Sequence, residues 1–313
     1  MVRTNEPPVT RKEALVIVNP VAYNLPGPKR RRRIDEWLRE QGWRTEWVET
    51  ERPGHARELS AAAAERGVPV VFVCAGDGTL GEAVNGLAGS ETALGMIPGG
   101  ISNLWAREIG LPRGALEAVQ CMVNGEVRSV DLGKAGDHYF LQMAGYGIDG
   151  LVTRAVSASV KGRLGASAYA LAAFREALTY RPSYVELDMD GKSLKGDVLM
   201  VLAGNTQKYA GLTKVTPDAR VDDGLLDVCV YRGQGKIDIV LHAARTLLRR
   251  HLGSAKVTLR KVRRMEFVYW ERPLPLQVDG DAVDDSPTVV EAVPGALRVI
   301  VPRDVTTPIF SPR

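Results

Sequence analysis

Short apolar runs of strand length alternate with helix-like segments over the first 130 residues, and this alternation limits the fold more than any other feature of the chain. The apolar runs are Ala14–Asn19, Thr45–Thr50, Val70–Cys74 and Ala93–Ile97. Helical spacing or helix-forming composition follows each run, as in the alanine-rich segment His55–Arg66. Such alternation predicts an α/β domain whose sheet is mostly parallel, with helices on both faces. A ligand site is then expected at the carboxyl ends of the strands.

Beyond about residue 130 the pattern changes to closely spaced strands joined by short turns. This half is predicted to be a mainly antiparallel β-sandwich, with helices at Ala166–Leu178 and Ile237–Leu252. The predicted domains are therefore residues 1–130 and 131–302. The C-terminal tail, 303–313, is expected to pack back on the first domain.

The net charge is too small to indicate a nucleic-acid partner, because 41 Lys and Arg residues face 37 Asp and Glu residues. The basic residues are nevertheless clustered. The clusters are Lys29–Arg33, the group Arg245, Arg249 and Arg250, and Lys256–Arg264. Clusters of this kind suit phosphates or an anionic membrane surface, although a solvated face explains them as well.

The three cysteines are widely spaced and odd in number, which indicates a protein of a reducing compartment whose fold does not depend on disulfides. The N-terminal segment Met1–Lys12 is polar and lacks the apolar core of a signal peptide. No apolar run approaches the roughly 18–20 residues that span a bilayer. We therefore expect a cytoplasmic protein whose contact with the inner face of a membrane is at most peripheral.

The most informative local segment is Ala75–Leu80, Ala-Gly-Asp-Gly-Thr-Leu, between an apolar strand and a helix. Glycines allow a ligand to approach the backbone closely, and the free N–H groups of a helix start suit phosphate oxygens. Thr79 is predicted to cap the helix, with Glu82 in capping-box spacing. An ordinary strand-turn-helix connection accounts for the segment equally well. Asp77 favours the functional interpretation, because a carboxylate beside a phosphate site needs a cation or a transferable proton.

A second glycine turn, Pro98–Asn103, follows the next strand and also precedes a helix. The two turns are expected to lie side by side, since neighbouring parallel strands end at the same edge of a sheet. Asn19-Pro20 ends the first strand and is followed by the basic cluster Lys29–Arg33, whose side chains could reach a triphosphate.

These motifs, taken in order, resemble the diacylglycerol kinase catalytic-domain family, which includes soluble bacterial lipid kinases and the sphingosine and ceramide kinases. The resemblance spans nearly the whole chain. It is carried by Asn19-Pro20, by Thr50 with Gly54-His55-Ala56, by Cys74–Leu87, Pro98–Arg107, Gly145–Asp149 and Asp222–Val228, and by Asp279-Gly280-Asp281.

The resemblance implies an ATP- and Mg²⁺-dependent lipid kinase of lipid metabolism and phospholipid synthesis, with ATP in a cleft between the two domains. The ATP-binding residues that it implies are Asn19, Pro20, Thr50, Gly76, Asp77, Gly78, Thr79, Leu80, Glu82, Gly99, Gly100, Ser102 and Asn103.

It also implies a magnesium site at Asp223 with the main-chain oxygens of Arg220 and Leu225. Asp281 is the implied proton acceptor, and Asp77 either organises the Mg–ATP end or acts as the base instead. Asp149 is expected where the family contacts the head group of the acceptor, which would be diacylglycerol or a related lipid. Such chemistry needs positioning, charge neutralisation and a carboxylate that takes the hydroxyl proton.

At three places this chain departs from the usual family pattern. Ile101 stands where the family usually has Thr, Ala22-Tyr23 follow where it has a small Ser/Gly pair, and Asp281 stands where it has Glu. Ile101 and Tyr23 motivate one alternative, a catalytically weak protein that binds nucleotide or lipid and acts in regulation. A second alternative is an NAD kinase, which shares the Gly-Asp-Gly-Thr loop.

Three further segments have simpler interpretations. Asp279-Gly280 and Asp222-Asp223-Gly224 are turns by default. Gly145–Gly150 matches a dinucleotide fingerprint only literally, so a loop containing Asp149 is expected there and a dehydrogenase is the weakest alternative. The helix Ile237–Leu252 has Asp238, His242, Arg245 and Arg249 opposite an apolar face. We expect that polar face to be solvated, or less simply to meet anionic head groups. A homodimer is left open.

Overall fold

The computed structural model describes residues 11–160, 177, 179–209, 213–303, 305 and 307–312. The chain divides into two compact units, residues 1–132 with 294–313, and residues 133–293. The last strand, Val289–Val301, therefore contributes residues to both units, whereas the predicted boundary at residue 302 places it wholly in the second domain. The helix expected at Ala166–Leu178 lies outside the described residues, apart from residue 177.

The first unit is built on a parallel sheet with the strand order β2-β1-β3-β4-β17. Its strands are β1 (Glu13–Val18), β2 (Arg44–Glu49), β3 (Val70–Ala75), β4 (Ala93–Pro98) and the C-terminal part of β17 (Val289–Val301). Its helices are α1 (Pro28–Glu40), α2 (His55–Glu65), α3 (Asp77–Leu87), α4 (Leu104–Glu108) and α5 (Ala115–Val123). The predicted α/β class of this half is confirmed.

Uninterrupted apolar strands explain why this sheet is parallel and covered on both faces. Every residue of β3 and of β4 is buried, so neither strand has a face turned to water. The helices that cover the sheet contribute narrower apolar stripes; Ile34 and Leu38, for example, are the buried residues of α1. A glycine or a polar residue follows each of β1 to β4, and because the strands are parallel the loops that begin there share one edge of the sheet.

The second unit is antiparallel, as the sequence predicts. Its strands are β5 (Glu126–Ala135, shared with the first unit), β6 (His138–Phe140), β7 (Met143–Gly147), β8 (Ser183–Met189), β9 (Lys192–Gly204), β10 (Lys208–Tyr209), β11 (Thr213–Lys214), β12 (Leu226–Arg232), β13 (Val257–Val262), β14 (Arg264–Trp270), β15 (Leu276–Val278), β16 (Asp281–Val283) and the N-terminal part of β17. Its helices are α6 (Ile148–Val160) and α7 (Lys236–Leu247), with a short 3₁₀ turn at His251–Gly253.

Strand β12 shows how this unit packs on both faces of its sheet. Val228 and Val230 belong to the larger apolar cluster, while the alternate residues Cys229 and Tyr231 belong to a smaller one. Side chains of a strand point alternately to opposite faces, so one strand supplies both clusters. The β-sandwich class predicted for this half is confirmed.

Helix α7 packs with the opposite face from the one expected. His242 is its buried residue, whereas Ile237, Val240, Leu241 and Leu247 are exposed. Of the polar face that was expected to be solvated, Arg245 and Arg249 are exposed, but the prediction is wrong for His242, which is buried, and for Asp238, which is half-buried. The reason lies in Tyr231 of β12, whose ring meets His242 edge-on at 5.2 Å between centroids, so that the strand beneath the helix offers polar and aromatic partners.

Within the described part of the chain, no helix is long and apolar enough to cross a bilayer.

The close contact between α2 and α3 in the first unit can be tested by adding a side-chain atom at Gly86. Gly86 of α3 lies against α2, where an added Cβ would overlap the carbonyl oxygen of Arg57 and lie 2.9 Å from Cβ of Ser60. Because backbone cannot move aside cheaply, we expect Gly86→Ala to lower the free energy of unfolding by ~1–3 kcal/mol, despite the better helix propensity of alanine.

Chemical denaturation of wild-type and variant protein measures this change. Gly27→Ala is the matched control, because an added Cβ at Gly27 meets nothing within 4 Å and its φ is −61°. Equal stability of the two variants would show that α2 and α3 are not in the close contact described.

Candidate functional site

The predicted nucleotide-binding residues of the first unit lie at the carboxyl ends of four neighbouring parallel strands. Asn19 follows β1, Thr50 follows β2, Gly76 follows β3 and Gly99 follows β4. The pairing of β2 with β1, of β1 with β3 and of β3 with β4 makes these ends adjacent. Tertiary structure thus brings together segments separated by up to 80 residues of sequence.

The two glycine turns are in backbone contact, as their positions on neighbouring strands predict. A Cβ on Gly76 would lie 3.2 Å from Cα of Gly100, and a Cβ on Gly99 would lie 3.2 Å from the nitrogen of Ala75. Asn103 stabilises the second turn by accepting a hydrogen bond from the N–H of Gly100 at 2.9 Å and donating one to its carbonyl oxygen at 2.9 Å. Side chains at these glycines would separate the two turns.

Helix α3 begins three residues earlier than predicted, which changes the roles of two side chains. Gly76 is its extended N-cap and makes no side-chain capping bond, so the prediction that Thr79 caps the helix is wrong. The Thr79 hydroxyl instead accepts a hydrogen bond from Nδ2 of Asn19 at 2.9 Å. Glu82 accepts one from the N–H of Ala56 at 3.1 Å and thereby caps α2 rather than α3.

Because no side chain caps α3, the N–H groups of its first turn face the edge where the strands end. The first turn of a helix leaves donors without intrahelical partners, and the helix dipole adds positive potential there. Gly76, Asp77 and Gly78 are half-buried, so this turn is accessible. The arrangement suits an anion with several oxygens.

Asp77 connects the two glycine turns. Its Oδ1 accepts a hydrogen bond from the N–H of Leu104, at the start of α4, at 2.7 Å. Burial raises the pKa of this carboxyl, and the amides of Leu104 and Trp105 oppose that rise. Asp77 therefore holds the start of α4 against the start of α3.

Two of the five residues of the basic cluster Lys29–Arg33 lie beside this edge. Arg30 and Arg33 of α1 line a cavity of about 740 Å³, together with Ile101, Ser102 and Asn103 of the second glycine turn. The neighbouring arginines are used differently: Arg31 pairs with Glu49, and Arg32 pairs with Glu36. The first unit therefore contains an arginine-lined cavity next to the second turn.

In the second unit, Asp279 and Gly280 form the two-residue turn of the β15–β16 hairpin. Their φ values of 49° and 92° are those of a turn with both central residues in the left-handed region, which favours Asp-Gly. The carboxylate of Asp279 accepts hydrogen bonds at 2.8–2.9 Å from the N–H groups of Leu141, Gln142 and Met143. Asp281, two residues on, is exposed as the first residue of β16. The two carboxylates of this motif therefore have different surroundings.

Asp149 lies in the first turn of α6 rather than in the expected loop, and it is buried. One carboxylate oxygen accepts a hydrogen bond from the hydroxyl of Tyr209, and the other accepts one from Nε2 of Gln277 at 2.7 Å. Burial raises the pKa of the Asp149 carboxyl, opposed by these two donors. The literal dinucleotide fingerprint serves packing, since a Cβ on Gly150 would overlap the backbone of Pro275.

Tyr209 and Gln277 are the residues that sequence reasoning missed at this site. Oε1 of Gln277 accepts a hydrogen bond from the N–H of Gly280 at 2.7 Å, so Gln277 joins Asp149 to the turn that precedes Asp281. No motif marks either residue. The available signal was the position of Gln277, two residues before Asp279 on the strand that enters the turn.

The predicted magnesium ligands lie in the loop that precedes β12, where Lys261 of β13 already contacts the carboxylate of Asp223. Lys261 donates to Oδ2 of Asp223 at 2.8 Å and to the carbonyl oxygen of Asp218 at 2.9 Å, and its ammonium lies 3.1 Å from Oδ2 of Asp227. Oδ1 of Asp223 accepts a hydrogen bond from the N–H of Leu225 at 3.1 Å.

Carboxylate and carbonyl oxygens are the ligand type that magnesium takes, so the residues fit the ion in kind. Lys261 would share Asp223 with it. Over the described ranges no cluster of three or more His, Cys, Asp and Glu side chains is placed to hold a metal ion.

Comparisons with known families agree with the motifs. A family model described as "Diacylglycerol kinase catalytic domain" matches residues 13–135, and one described as "YegS C-terminal NAD kinase beta sandwich-like domain" matches residues 142–301. A diacylglycerol kinase of Bacillus subtilis (strain 168) is 30% identical over 273 residues, which cover 86% of this chain and 90% of that protein. One of Mycobacterium tuberculosis (strain ATCC 25618 / H37Rv) is 33% identical over 258 residues, covering 79% and 82%.

The fold agrees as well. A crystal structure of a diacylglycerol kinase from Bacillus anthracis str. Sterne superposes with a TM-score of 0.75 at 25% identity, covering 93% of this chain and 98% of that one. These relatives do not favour the NAD kinase alternative, although the description of the second family model shows that the sandwich resembles that of NAD kinases.

The contacts of Asp279 generate a stability prediction. Asparagine also tolerates a left-handed backbone, but its amide group places a donor against one of the three N–H groups that the carboxylate accepts. We expect Asp279→Asn to lower the free energy of unfolding by roughly 1–3 kcal/mol. Asp284→Asn, at an exposed carboxylate just after the same hairpin that lies 3.8 Å from Arg154, is the matched control and is expected to change it by less than about 0.5 kcal/mol. A loss of equal size in both variants would contradict the contacts described.

Burial of Asp149 generates a pH prediction. Its folded-state pKa is raised above the ordinary value of 3.8, so the folded chain retains a proton that the unfolded chain releases. The stabilisation is complete below pH 3.8 and is lost as the pH rises through the folded-state value. Relative to Asp149→Asn, wild-type protein should therefore lose unfolding free energy as the pH rises from 4 towards 7. Urea denaturation at several pH values measures the difference, and parallel curves would contradict a raised pKa.

Proposed function

The chain belongs to the diacylglycerol kinase family and is a lipid kinase, a phosphotransferase with an alcohol acceptor. We propose that it transfers the γ-phosphate of ATP to the hydroxyl of diacylglycerol or a closely related lipid. The observation that carries this proposal is the backbone contact of the two glycine turns, Gly76 with Gly100, at the adjacent ends of β3 and β4. Because neither glycine has a side chain, main-chain N–H groups form this edge and are the donors that a polyanion binds.

In our proposal the phosphates of ATP lie at the first turn of α3. The N–H groups of Gly78 and Thr79 would donate to phosphate oxygens, as the start of a helix without a side-chain cap allows. Asn19, bonded to the Thr79 hydroxyl, would keep that turn in place. The remaining cofactor residues would frame the same edge: Pro20, Thr50, Leu80, Glu82, Gly99, Gly100, Ser102 and Asn103.

Asp281 is the proposed general base. The lipid hydroxyl attacks the γ-phosphorus, its proton passes to the carboxylate of Asp281, and ADP leaves with the electron pair of the broken P–O bond. Exposure suits Asp281 to this role, whereas the neighbouring Asp279 is engaged by three backbone N–H groups. The bond between Asp77 and Leu104 supports the organising role of Asp77 over its alternative role as base.

Asp149 is proposed to act on the acceptor indirectly, by holding the side chains that would contact its head group. Both of its oxygens are occupied, so a head group would meet it through Tyr209 or Gln277 rather than directly. Because Gln277 also holds Gly280, the same contacts would set the direction of Asp281.

We propose that Mg²⁺ is held by Asp223 with the main-chain oxygens of Arg220 and Leu225. The ion supplies positive charge that neutralises phosphate. Lys261 contributes charge of the same sign beside Asp223, so the loop remains partly neutralised when the ion is removed.

The acceptor places the reaction at a membrane surface, since a lipid with two acyl chains resides in the bilayer. We propose that the protein acts on the inner face of the membrane from the cytoplasm, where ATP is available, with peripheral contact only. A homodimer and contact with nucleic acid are not part of the proposal.

Transfer of label tests the function. Purified protein is incubated with γ-labelled ATP, Mg²⁺ and dioctanoylglycerol in detergent micelles, and we expect labelled phosphatidate. Asp281→Asn should lower kcat by roughly 10²–10⁴-fold, the usual contribution of a positioned base. Asp281→Glu, which retains the carboxylate, should recover most of this loss.

Asp77→Asn should lower turnover through its effect on the glycine turns and should therefore raise the KM for ATP as well. If Asp281→Asn and Asp77→Asn both leave turnover intact, the assigned roles are wrong. Binding of ATP without transfer to any lipid in a total extract would select the regulatory alternative.

A further inference from the structure

A stripe of large apolar side chains is exposed on the outer face of α7 and just beyond its end. We call it the apolar stripe; it consists of Ile237, Val240, Leu241, Leu247, Leu248 and Leu252. Ile237 is 77% exposed, and Leu247 and Leu248 are 65% and 67% exposed. Val240 and Leu241 follow Ile237 by three and four residues, and Leu247 follows Val240 by seven, so the helical members share one side of the helix. Large apolar side chains that are exposed together on one face in this way are typical of an interaction site.

The apolar stripe cannot turn inward, because the other side of α7 is held by specific contacts. Nε2 of His242 lies 2.9 Å from the carbonyl oxygen of Arg232. The hydroxyl of Thr246 lies 3.2 Å from that of Tyr231, and Arg245 donates to Ser254 at 2.8 Å. The outward direction of the stripe is thus a property of the fold rather than of one side-chain rotamer.

Positive charge surrounds the apolar stripe. From Ile239 to Lys256 the sequence contains no Asp or Glu, while Arg245, Arg249 and Arg250 lie in or after the last turn of α7. The carboxylate of Asp238, at the start of the helix, is bonded to Lys256 at 2.6 Å. Apolar side chains flanked by arginines are complementary to a bilayer surface that carries anionic head groups.

We propose that the apolar stripe is the surface by which this protein docks on a bilayer containing anionic phospholipid. The proposal rests on the proposed function, because the acceptor lipid resides in that bilayer. The 12 residues of α7 rise about 18 Å, well short of a hydrocarbon core of about 30 Å. The helix therefore lies in the interface with its apolar side chains among the acyl chains and Arg249 and Arg250 at the level of the phosphates.

Charge distinguishes a bilayer from a second copy of this chain. A two-fold interface centred on the apolar stripe would place the arginines of each copy against the same stripe of the other, and the segment from Ile239 to Lys256 offers no carboxylate to pair with them. A lipid surface supplies phosphates at that position instead. The observations thus favour the bilayer, and a second copy becomes an outcome of the test.

Vesicle sedimentation tests the proposal. The full chain is mixed with vesicles of phosphatidylglycerol and phosphatidylcholine, or of phosphatidylcholine alone. We expect wild-type protein to bind the anionic vesicles, and Leu247→Ser/Leu248→Ser to weaken that binding at least tenfold. Arg249→Gln/Arg250→Gln should weaken binding mainly at low salt, since exposed charges are screened at high salt.

The matched control is Val268→Ser/Tyr269→Ser, which removes two apolar side chains that are 63% and 53% exposed on β14. It should bind the anionic vesicles as wild type does. Equal weakening in the control and the leucine variant would overturn the proposal, as would unchanged binding of the leucine variant. Light scattering in solution completes the test: conversion from dimer to monomer in the leucine variant would assign the stripe to a second copy and overturn the proposal.

Turnover separates this proposal from the function on which it rests. On dioctanoylglycerol in detergent micelles, wild type and the leucine variant should turn over equally. On long-chain diacylglycerol in anionic vesicles, the variant should be at least tenfold slower. Absence of turnover by wild type on both substrates would refute the proposed function, whereas equal turnover of the two proteins in vesicles would refute the docking surface alone.

Discussion

The contact between the turns that follow β3 and β4 determines how the first unit presents its candidate site. Gly76 and Gly100 approach each other backbone to backbone, so the edge of the sheet at this point consists of main-chain atoms. Asp77 and Asn103 then secure the arrangement, one by bonding the start of α4 and the other by bonding Gly100 on both sides. A site of this kind recognises an anion by N–H groups and helix ends, whose positions follow from the backbone.

In the β15–β16 hairpin of the second unit, the carboxylates of Asp279 and Asp281 have different roles although only Gly280 separates them. Asp279 has a structural role, since its carboxylate accepts hydrogen bonds from three backbone N–H groups and its backbone adopts the left-handed conformation that the turn requires. That use of Asp279 is what presents Asp281 to solvent. Gln277 adds a second restraint from the buried side by joining Gly280 to Asp149. One tight turn therefore gives Asp279 its hydrogen-bond partners and leaves Asp281 exposed.

Much of the fold and of the candidate site could be predicted from the sequence, because these parts depend on local sequence patterns. The buried strands, the glycine turns after two of them and the hairpin at Asp279-Gly280 all follow from composition and spacing. The N-cap of α3 was predicted wrongly, since the sequence is compatible with a helix that starts after Gly76 or after Thr79 and only the path of the chain decides between them. The partners of Asp149 could not be found, because Tyr209 and Gln277 come from segments 60 and 128 residues away.

The α/β and β-sandwich halves, the glycine turns and the family could be assigned before any coordinates were known, because each depends on residues that are near one another in the chain or recur in a fixed order. The side of α7 that faces outward could be assigned only from the folded chain. Periodicity shows that a helix has an apolar side and a polar side, but it does not say what lies beneath the helix. Tyr231 and the carbonyl group of Arg232 bind the polar side, and the apolar side is therefore left to meet another surface.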